Sequence, residues 1–329
     1  MTLNNWVMDL RRLRLLLELS RLGSMREVAD ELGVTTSTVS QQIAVLAREV
    51  GSPLVEPQGR RVRLTPAGRR LAQHAVTILA AVEAARLDLD PDAEPAGTVR
   101  VAGFATAVRR SLMPVARDLA AANPNVRLRI NEHEPPEALA MLADDEVDLA
   151  LTYDYNLAPA AFDSALDATP LWSAAWSLGV PADSPQVAGN APAVLARFRE
   201  HSWIVNSRNT ADEQVVSMIA SMAGFEPQIT HHVDSLELVQ DLIVARMGVG
   251  LLPADQPTQP GVRLLALADP QVVLRSYAVT RRGRTRWPPL ALIVDLLARQ
   301  VREDGSRAAP RISSSRTPPG AHAHCGRCA

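Results

Sequence analysis

Gly23-Ser24-Met25-Arg26-Glu27-Val28-Ala29-Asp30-Glu31-Leu32-Gly33-Val34-Thr35-Thr36-Ser37-Thr38-Val39-Ser40-Gln41-Gln42-Ile43 carries two helix starts and a helix stop in one short run. Ser24 with Glu27 three residues on is a capping box, Val28, Ala29 and Leu32 supply a buried stripe, and Gly33 ends the helix. Thr35 caps the next helix, in which Val39, Ile43, Leu46 and Val50 recur along one face. The other face, Thr36, Ser37, Ser40, Gln41 and Ala44, is small, polar and uncharged. Just upstream, Leu10, Leu13, Leu16 and Leu17 predict an amphipathic helix from Asp9 to Gly23. Downstream, extended pieces Pro53–Glu56 and Arg61–Leu64 flank the turn Pro57-Gln58-Gly59, which predicts a small β-hairpin.

Thr65 followed by Pro66 opens a long helix reaching Leu89. Along it Leu71, Ala75, Ile78, Val82, Ala85 and Leu89 keep the alternating four and three spacing of a two-helix seam, ~35 Å long at ~1.5 Å per residue. Asp90 to Gly97 is a hinge by composition. Strands and helices then alternate as in parallel βαβ folds: strands at Val99–Phe104, Val126–Asn131 and Val147–Tyr153 with helices Ala107–Ala122 and Pro136–Ala143 between them. The arrangement repeats from Ser202 to Leu252. Trp172–Val180 and Val272–Thr280 are expected to connect the halves, Pro288–Val301 to form the last helix, and the Ser/Arg/Pro/Gly-rich residues 303–329 to be disordered.

Three helices, the third with a polar outer face, and a hairpin rich in Arg spell a winged helix-turn-helix. In that design the third helix enters the major groove, where Gln41 can reach an adenine edge. Arg60, Arg61, Arg63, Arg69 and Arg70 lie together without an intervening acid and suit phosphate contact. Taken with Asp9-Leu10-Arg11-Arg12-Leu13, Val39-Ser40-Gln41-Gln42-Ile43, Gly59-Arg60-Arg61-Val62-Arg63-Leu64-Thr65-Pro66-Ala67-Gly68 and Gly248-Val249-Gly250-Leu251-Leu252-Pro253, the chain resembles the LysR-type transcriptional regulators from Met8 to Arg302. Thr36-Ser37 and Gln41 depart from the residues usual there, and Pro57 stands where the wing often carries Arg.

The resemblance implies a fold of two parts: an all-α winged helix-turn-helix N-terminal domain (8–65) with a long linker helix (66–89), then a C-terminal α/β effector-binding domain of two Rossmann-like subdomains (98–302). It implies DNA contact by Thr36, Ser37, Ser40, Gln41 and Arg60, to which the hydroxyls of Thr35 and Thr38 and the wing charges Arg61 and Arg63 are added, and pairing into a homodimer or homotetramer through the helix seam. It implies double-stranded DNA, a small-molecule effector and, for activation, RNA polymerase as partners. No cofactor or catalysis is expected. Ligands of open α/β sheets sit at strand ends beside helix starts, which nominates Thr106, Tyr153, Asp154, Ser207, Arg208, Asn209 and Thr210. Arg208 and the hydroxyls favour an anionic ligand, although Asp154 works against that sign. Aromatics at 4% argue against an aromatic cage.

Composition narrows the field without deciding it. All 34 basic residues are Arg, and the segment to Gly68 has nine Arg against seven acids, whereas Gly97–Gln300 has 17 against 22. A mildly basic front precedes an acidic body. Cys325 and Cys328 are the only cysteines, so a reducing, cytoplasmic setting is expected, and no apolar stretch suggests export or membrane insertion. His322, His324, Cys325 and Cys328 could hold a soft metal, but so compressed a set lacks the usual spacer. The rival reading is an enzyme or small-molecule-binding protein on the α/β body, with the front as a docking module. Against it, no G-x-S-x-G, Walker or G-x-G-x-x-G motif occurs.

Overall fold

In the computed structural model, which describes residues 8–58, 61–90 and 94–308, side-chain caps open the first helices and left-handed glycines close them. Asp9 accepts the Arg11 amide at the start of α1 (Leu10–Leu22), Ser24 accepts the Glu27 amide before α2 (Met25–Leu32), and Thr35 accepts the Thr38 amide before α3 (Thr36–Val50). Gly23, Gly33 and Gly51 follow at φ 64°, 65° and 70°, where a Cβ is costly. Leu13, Leu16, Val28, Val39, Ile43 and Leu46 close one apolar core between these helices. The hairpin β1 (Val55–Gln58) and β2 (Arg61–Leu64) sets Glu56 opposite Arg63. It then turns into α4 (Pro66–Leu89) so tightly that a Cβ on Gly68 would lie 2.1 Å from the Leu54 carbonyl oxygen.

The expected seam on α4 divides in two. Ala75 is fully buried in the head's own core beside Ala72 and Val76, and Leu71 packs on the same cluster. Ile78, Val82, Ala85 and Leu89 are exposed, Leu89 at 85%. The reason is that α4 carries two apolar faces: Ala72, Ala75 and Val76 serve the core shared with α1, so Leu71 and Ala75 do not stand in an open stripe.

The body begins with β3 (Gly97–Gly103). A short α5 (Ala105–Ala107) follows, then a π-helical turn (Val108–Leu112), α6 (Met113–Ala122), β4 (Val126–Glu132), α7 (Pro135–Ala143) and β5 (Leu149–Tyr155). The single helix expected over Ala107–Ala122 is thus widened at Val108–Leu112. Pro114 has no N–H for the Arg110 carbonyl, and the Met113 amide bonds instead to Val108. β6 (Leu166–Pro181) crosses to the second lobe of α8 (Ala191–Ala196), β7 (Ser202–Val205), α9 (Ala211–Met222), β8 (Gln228–His232), α10 (Leu236–Val244), β9 (Val249–Pro253) and β10 (Val262–Ala266). β11 (Val272–Arg281) returns to the first lobe, and α11 (Pro288–Ala308) ends the described chain.

The strand order β4-β3-β5-β11-β6-β9-β7-β8, with β10 on β6, follows from this path. β3 runs parallel to β4 and β5, and β7 parallel to β8 and β9, while β6 and β11 pair antiparallel and join the lobes. α8 and β10 are too short to leave a periodic signal and escape sequence reading. α11 continues past Glu303 into the segment expected to be disordered. Its turns at Leu290, Ile293 and Leu297 are buried, and extending a formed helix costs less than starting one. The His and Cys residues of the tail lie outside the described residues. Among the described residues, no helix is long and apolar enough to cross a membrane.

Candidate functional site

On the head, α3 is anchored by Val39, Ile43 and Leu46, each 1% exposed or less, which leaves Thr36, Ser37, Ser40, Gln41 and Ala44 facing outward. Some of the nominated hydroxyls also do local work. The Thr35 hydroxyl bonds to Ser37 Oγ and Thr38 Oγ1 and accepts the Thr38 amide, so Thr35 and Thr38 stabilise the helix start. In the wing, Arg63 Nε lies 2.6 Å from Glu56 Oε1 of the opposing strand, an exposed pair. Arg60 and the side chain of Arg61 lie outside the described residues.

Between the two lobes of the body is a cleft of about 840 Å³. Thr106 of α5 and Tyr153 of β5 line it, as does Asn206 after β7. Asp154 does not: side chains alternate along a strand, so Tyr153 and Tyr155 share one face and Asp154 takes the other. There it accepts Arg275 Nε and Nη2 at 2.8 Å each and the Tyr277 hydroxyl at 3.3 Å. Ser207, Arg208, Asn209 and Thr210 are also outside the lining. Most of the donors of Ser207 and Arg208, and the Asn209 amide, are already taken. Asn206 Oδ1 accepts the Arg208 and Asn209 amides, Asn209 Oδ1 accepts the Ala211 amide, and Asp234 accepts the Ser207 amide and Arg208 Nε. The α9 start therefore offers an anion little that is free.

Acids dominate the cleft instead. Glu134, Asp212, Asp234, Glu237 and Asp255 line it against Arg109 and Arg110. Glu134 accepts the Tyr153 hydroxyl at 3.0 Å, and Asn206 Nδ2 donates to the same hydroxyl oxygen at 3.3 Å. Burial pushes the Glu134 carboxyl up to about 7, with Tyr153 opposing and Asp234 reinforcing the rise. Burial likewise pushes Asp212 up to about 6, opposed by the Tyr155 hydroxyl and reinforced by Asp234. For Asp234 burial also raises the carboxyl, but hydrogen bonds from Ser207 and Arg208 outweigh it and hold the group below its ordinary value.

Among the described residues, three ion pairs cross from lobe to lobe. Arg109 meets Glu237 at 2.9 Å, Arg110 meets Asp255 at 2.9 Å, and Arg208 meets Glu137 at 3.2 Å. Phe104, Tyr153 and Trp176 line part of the cleft, with Tyr155 buried behind them. Phe104 and Tyr153 meet edge to face at 4.7 Å, Tyr153 and Tyr155 at 6.1 Å, and Tyr155 and Trp176 at 5.6 Å. Few aromatics are present, but strand parity gathers these into one place. Trp172 adds its indole N–H to Ser111 Oγ and lies under the Arg110 guanidinium at 4.5 Å. Sequence reasoning missed Glu134 because it followed the ends of β3, β5 and β7 and not that of β4. Asp212 carries no mark in the sequence, since with Glu213 it stands in the first turn of α9, where acidic residues are ordinary.

Comparison with known proteins gives a consistent result. Residues 10–69 match the family described as bacterial regulatory helix-turn-helix protein, lysR family, and residues 92–302 match the LysR substrate binding domain. The chain is 28% identical over 248 residues to the transcriptional dual regulator GltC of Bacillus subtilis, covering 75% of this chain and 81% of that one. It is 26% identical over 301 residues to the hydrogen peroxide-inducible genes activator of Dickeya chrysanthemi, covering 90% and 95%. Its fold is similar to that of a full-length OxyR variant from Pseudomonas aeruginosa, with TM-score 0.68 at 20% identity over 88% of this chain and 94% of that one. A helix-turn-helix head on a two-lobed ligand-binding body, with both parts matched, means that the chain belongs to the LysR family of transcriptional regulators.

Proposed function

We propose that two copies of the chain pair through Ile78, Val82, Ala85 and Leu89 of α4, as a homodimer or doubled into a homotetramer, and set two α3 helices into successive major grooves of double-stranded DNA. Thr36, Ser37, Ser40 and Gln41 read base edges, while Arg60 and Arg61 of the wing hold phosphates. Residues 8–65 form the DNA-binding unit, 66–89 the pairing helix, 90–97 the hinge and 98–302 the effector unit. The observation that carries the reading is the outward face of α3: exposed, polar and without charge, on a helix whose opposite face is locked in an apolar core. A merely solvated helix has no need of so uniform a face.

Regulation follows from the cleft. The ion pairs Arg109–Glu237, Arg110–Asp255 and Arg208–Glu137 join the lobes, so a small molecule entering between them must open or rearrange these contacts. The lobes then shift about β6 and β11, and the spacing of the paired heads changes. The protein acts by binding rather than turnover, in the cytoplasm where its DNA is, and contacts RNA polymerase when it activates. A thiol in the body is not its sensor, because both cysteines, Cys325 and Cys328, lie in the tail. Selection of bound duplexes from a random pool tests the reading. The expected result is an enriched site of two related halves one helical turn or a multiple apart; absence of any enriched sequence would remove sequence-specific DNA binding.

A further inference from the structure

Most charges in the cleft are matched, and those left over have one sign. Arg109 and Arg110 are engaged by Glu237 and Asp255, and Arg208 by Asp234 and Glu137. Glu134 and Asp212 line the same cavity, and among the described residues neither forms an ion pair. Glu134 has the Tyr153 hydroxyl as donor, and Asp212 has the buried Tyr155 hydroxyl beside it. Beside the two carboxyls are the rings of Phe104, Tyr153 and Trp176.

This combination discriminates among ligand classes. An anion would add negative charge beside two carboxyls that have no ion-pair partner of their own among the described residues. A neutral polyol could accept and donate hydrogen bonds but would leave the carboxyls uncompensated. A bare divalent ion wants several hard oxygens together, and no group of three or more His, Cys, Asp or Glu residues is placed to hold one among the described residues. A positive nitrogen on a carbon frame satisfies both features, charge to the carboxylates and apolar or cationic faces to the rings.

We propose that the cleft captures an organic ammonium compound, its positive group against Glu134 and Asp212 and its carbon frame against Phe104, Tyr153 and Trp176. This rests on the cleft being the effector site. With its carboxyl at about 7, Glu134 is about half protonated in the empty cleft at neutral pH, while Asp212 at about 6 is mostly charged there and takes up its proton only below that. A cation arriving beside them stabilises the charged forms, so capture expels protons and tightens as pH rises through this range. Asp234, Arg208, Tyr153 and Asn206 around Glu134, and Tyr155 and Asp234 around Asp212, are the groups that face them.

Titration calorimetry on the full chain tests the proposal with two matched series, putrescine, butanediol and succinate, then phenethylamine, phenethyl alcohol and phenylacetate, with magnesium alone as a further arm. The expected result is binding by at least one ammonium member and weaker or no binding by its neutral and anionic partners. Ammonium addition to the chain in weakly buffered solution without amine buffers should release protons at pH 7, read by a pH electrode. Glu134→Gln and Asp212→Asn should each weaken ammonium binding about tenfold or more, while Arg275→Gln, outside the cleft, should leave it unchanged. Preferred binding of an anionic member, lost in Arg109→Gln, overturns the ligand class and leaves the cleft as effector site. Ammonium binding untouched by both carboxyl variants overturns the site itself. Magnesium binding that depends on the same carboxyls, or no ammonium binding at millimolar concentration, overturns the proposal.

Discussion

Gln41 and Arg60 are expected to act on DNA by different physics, and that difference is measurable at single residues. Gln41 stands exposed on α3, and a Gln amide can make two hydrogen bonds to an adenine edge, so Gln41→Ala should lose ~1–3 kcal/mol at one base position. Arg60→Ala should weaken binding to every duplex alike and lower the salt slope by about one unit. Competition titrations with base-substituted and random duplexes separate them, and equal loss on both for Gln41→Ala would take α3 out of the reading role. Glu134 supports a prediction of another kind. Its carboxyl is raised from 4.5 to about 7, so the folded chain keeps a proton that the unfolded chain has released, and stability falls as pH rises from 4.5 to about 7. Glu134→Gln, which retains an acceptor for Tyr153, should therefore unfold at higher urea than the parent near pH 8, by up to about 3 kcal/mol, and lose that advantage near pH 4. A pH-independent difference would remove the carboxyl's proton from the explanation. Thr106 and Tyr153 were legible because strand ends point to clefts. Asp154 misled because the parity of β5 cannot be fixed to one residue from sequence, and Ser207–Thr210 because the side chains that consume its amides, Asn206 and Asp234, show their role only once the loop is folded.

Elements were readable where a chemical punctuation mark stands at each end. Asp9, Ser24 and Thr35 at helix starts and Gly23, Gly33 and Gly51 at helix ends bound α1 to α3 closely. Inside α4 no such mark separates the residues that serve the head from those left open, because both sets are apolar and recur at helical spacing. The two halves should respond differently to charge. Ile78→Glu and Val82→Glu, at positions 36% and 42% exposed, should leave the head folded yet dissociate the oligomer and abolish binding to a two-half site. Ala75→Glu, fully buried against α1, should unfold the head outright, since an unpaired carboxylate there has no solvent. Sedimentation and circular dichroism on the three variants distinguish the cases. An oligomer that survives both exposed substitutions would show that α4 pairs by another face.

The head meets the body through charge. Arg21 of α1 reaches Asp145 at 2.9 Å, where Arg281 also binds at 3.1 Å, and next to it Asp148 is held by Arg284 at 2.8 Å and by Arg100 at 2.9 Å. Asp145 and Asp148 are 4% and 2% exposed. Burial alone would raise the Asp148 carboxyl, but the hydrogen bond from Arg100 and the charges of Arg284 and Arg100 hold it well below the usual range. A depressed carboxyl stabilises the fold above its unfolded value and loses that contribution as pH falls towards its folded one, so this junction withstands mild acid and fails only in strong acid. Buried ion pairs add less to stability than to the choice of one arrangement over others, which suits a contact that must hold the head at a set angle to the lobe bearing Glu134. Removing Arg21 leaves Asp145 with Arg281 and Asp148 with its two arginines, so the body keeps its own compensation and only the head loses a partner. Arg21→Met, which preserves the stem's packing, should lower the head's stability by about 1.5–3 kcal/mol and split a shared calorimetric transition into an earlier head and an unchanged body. A single transition shifted as a whole would mean that the cluster stabilises the body and does not join the two parts.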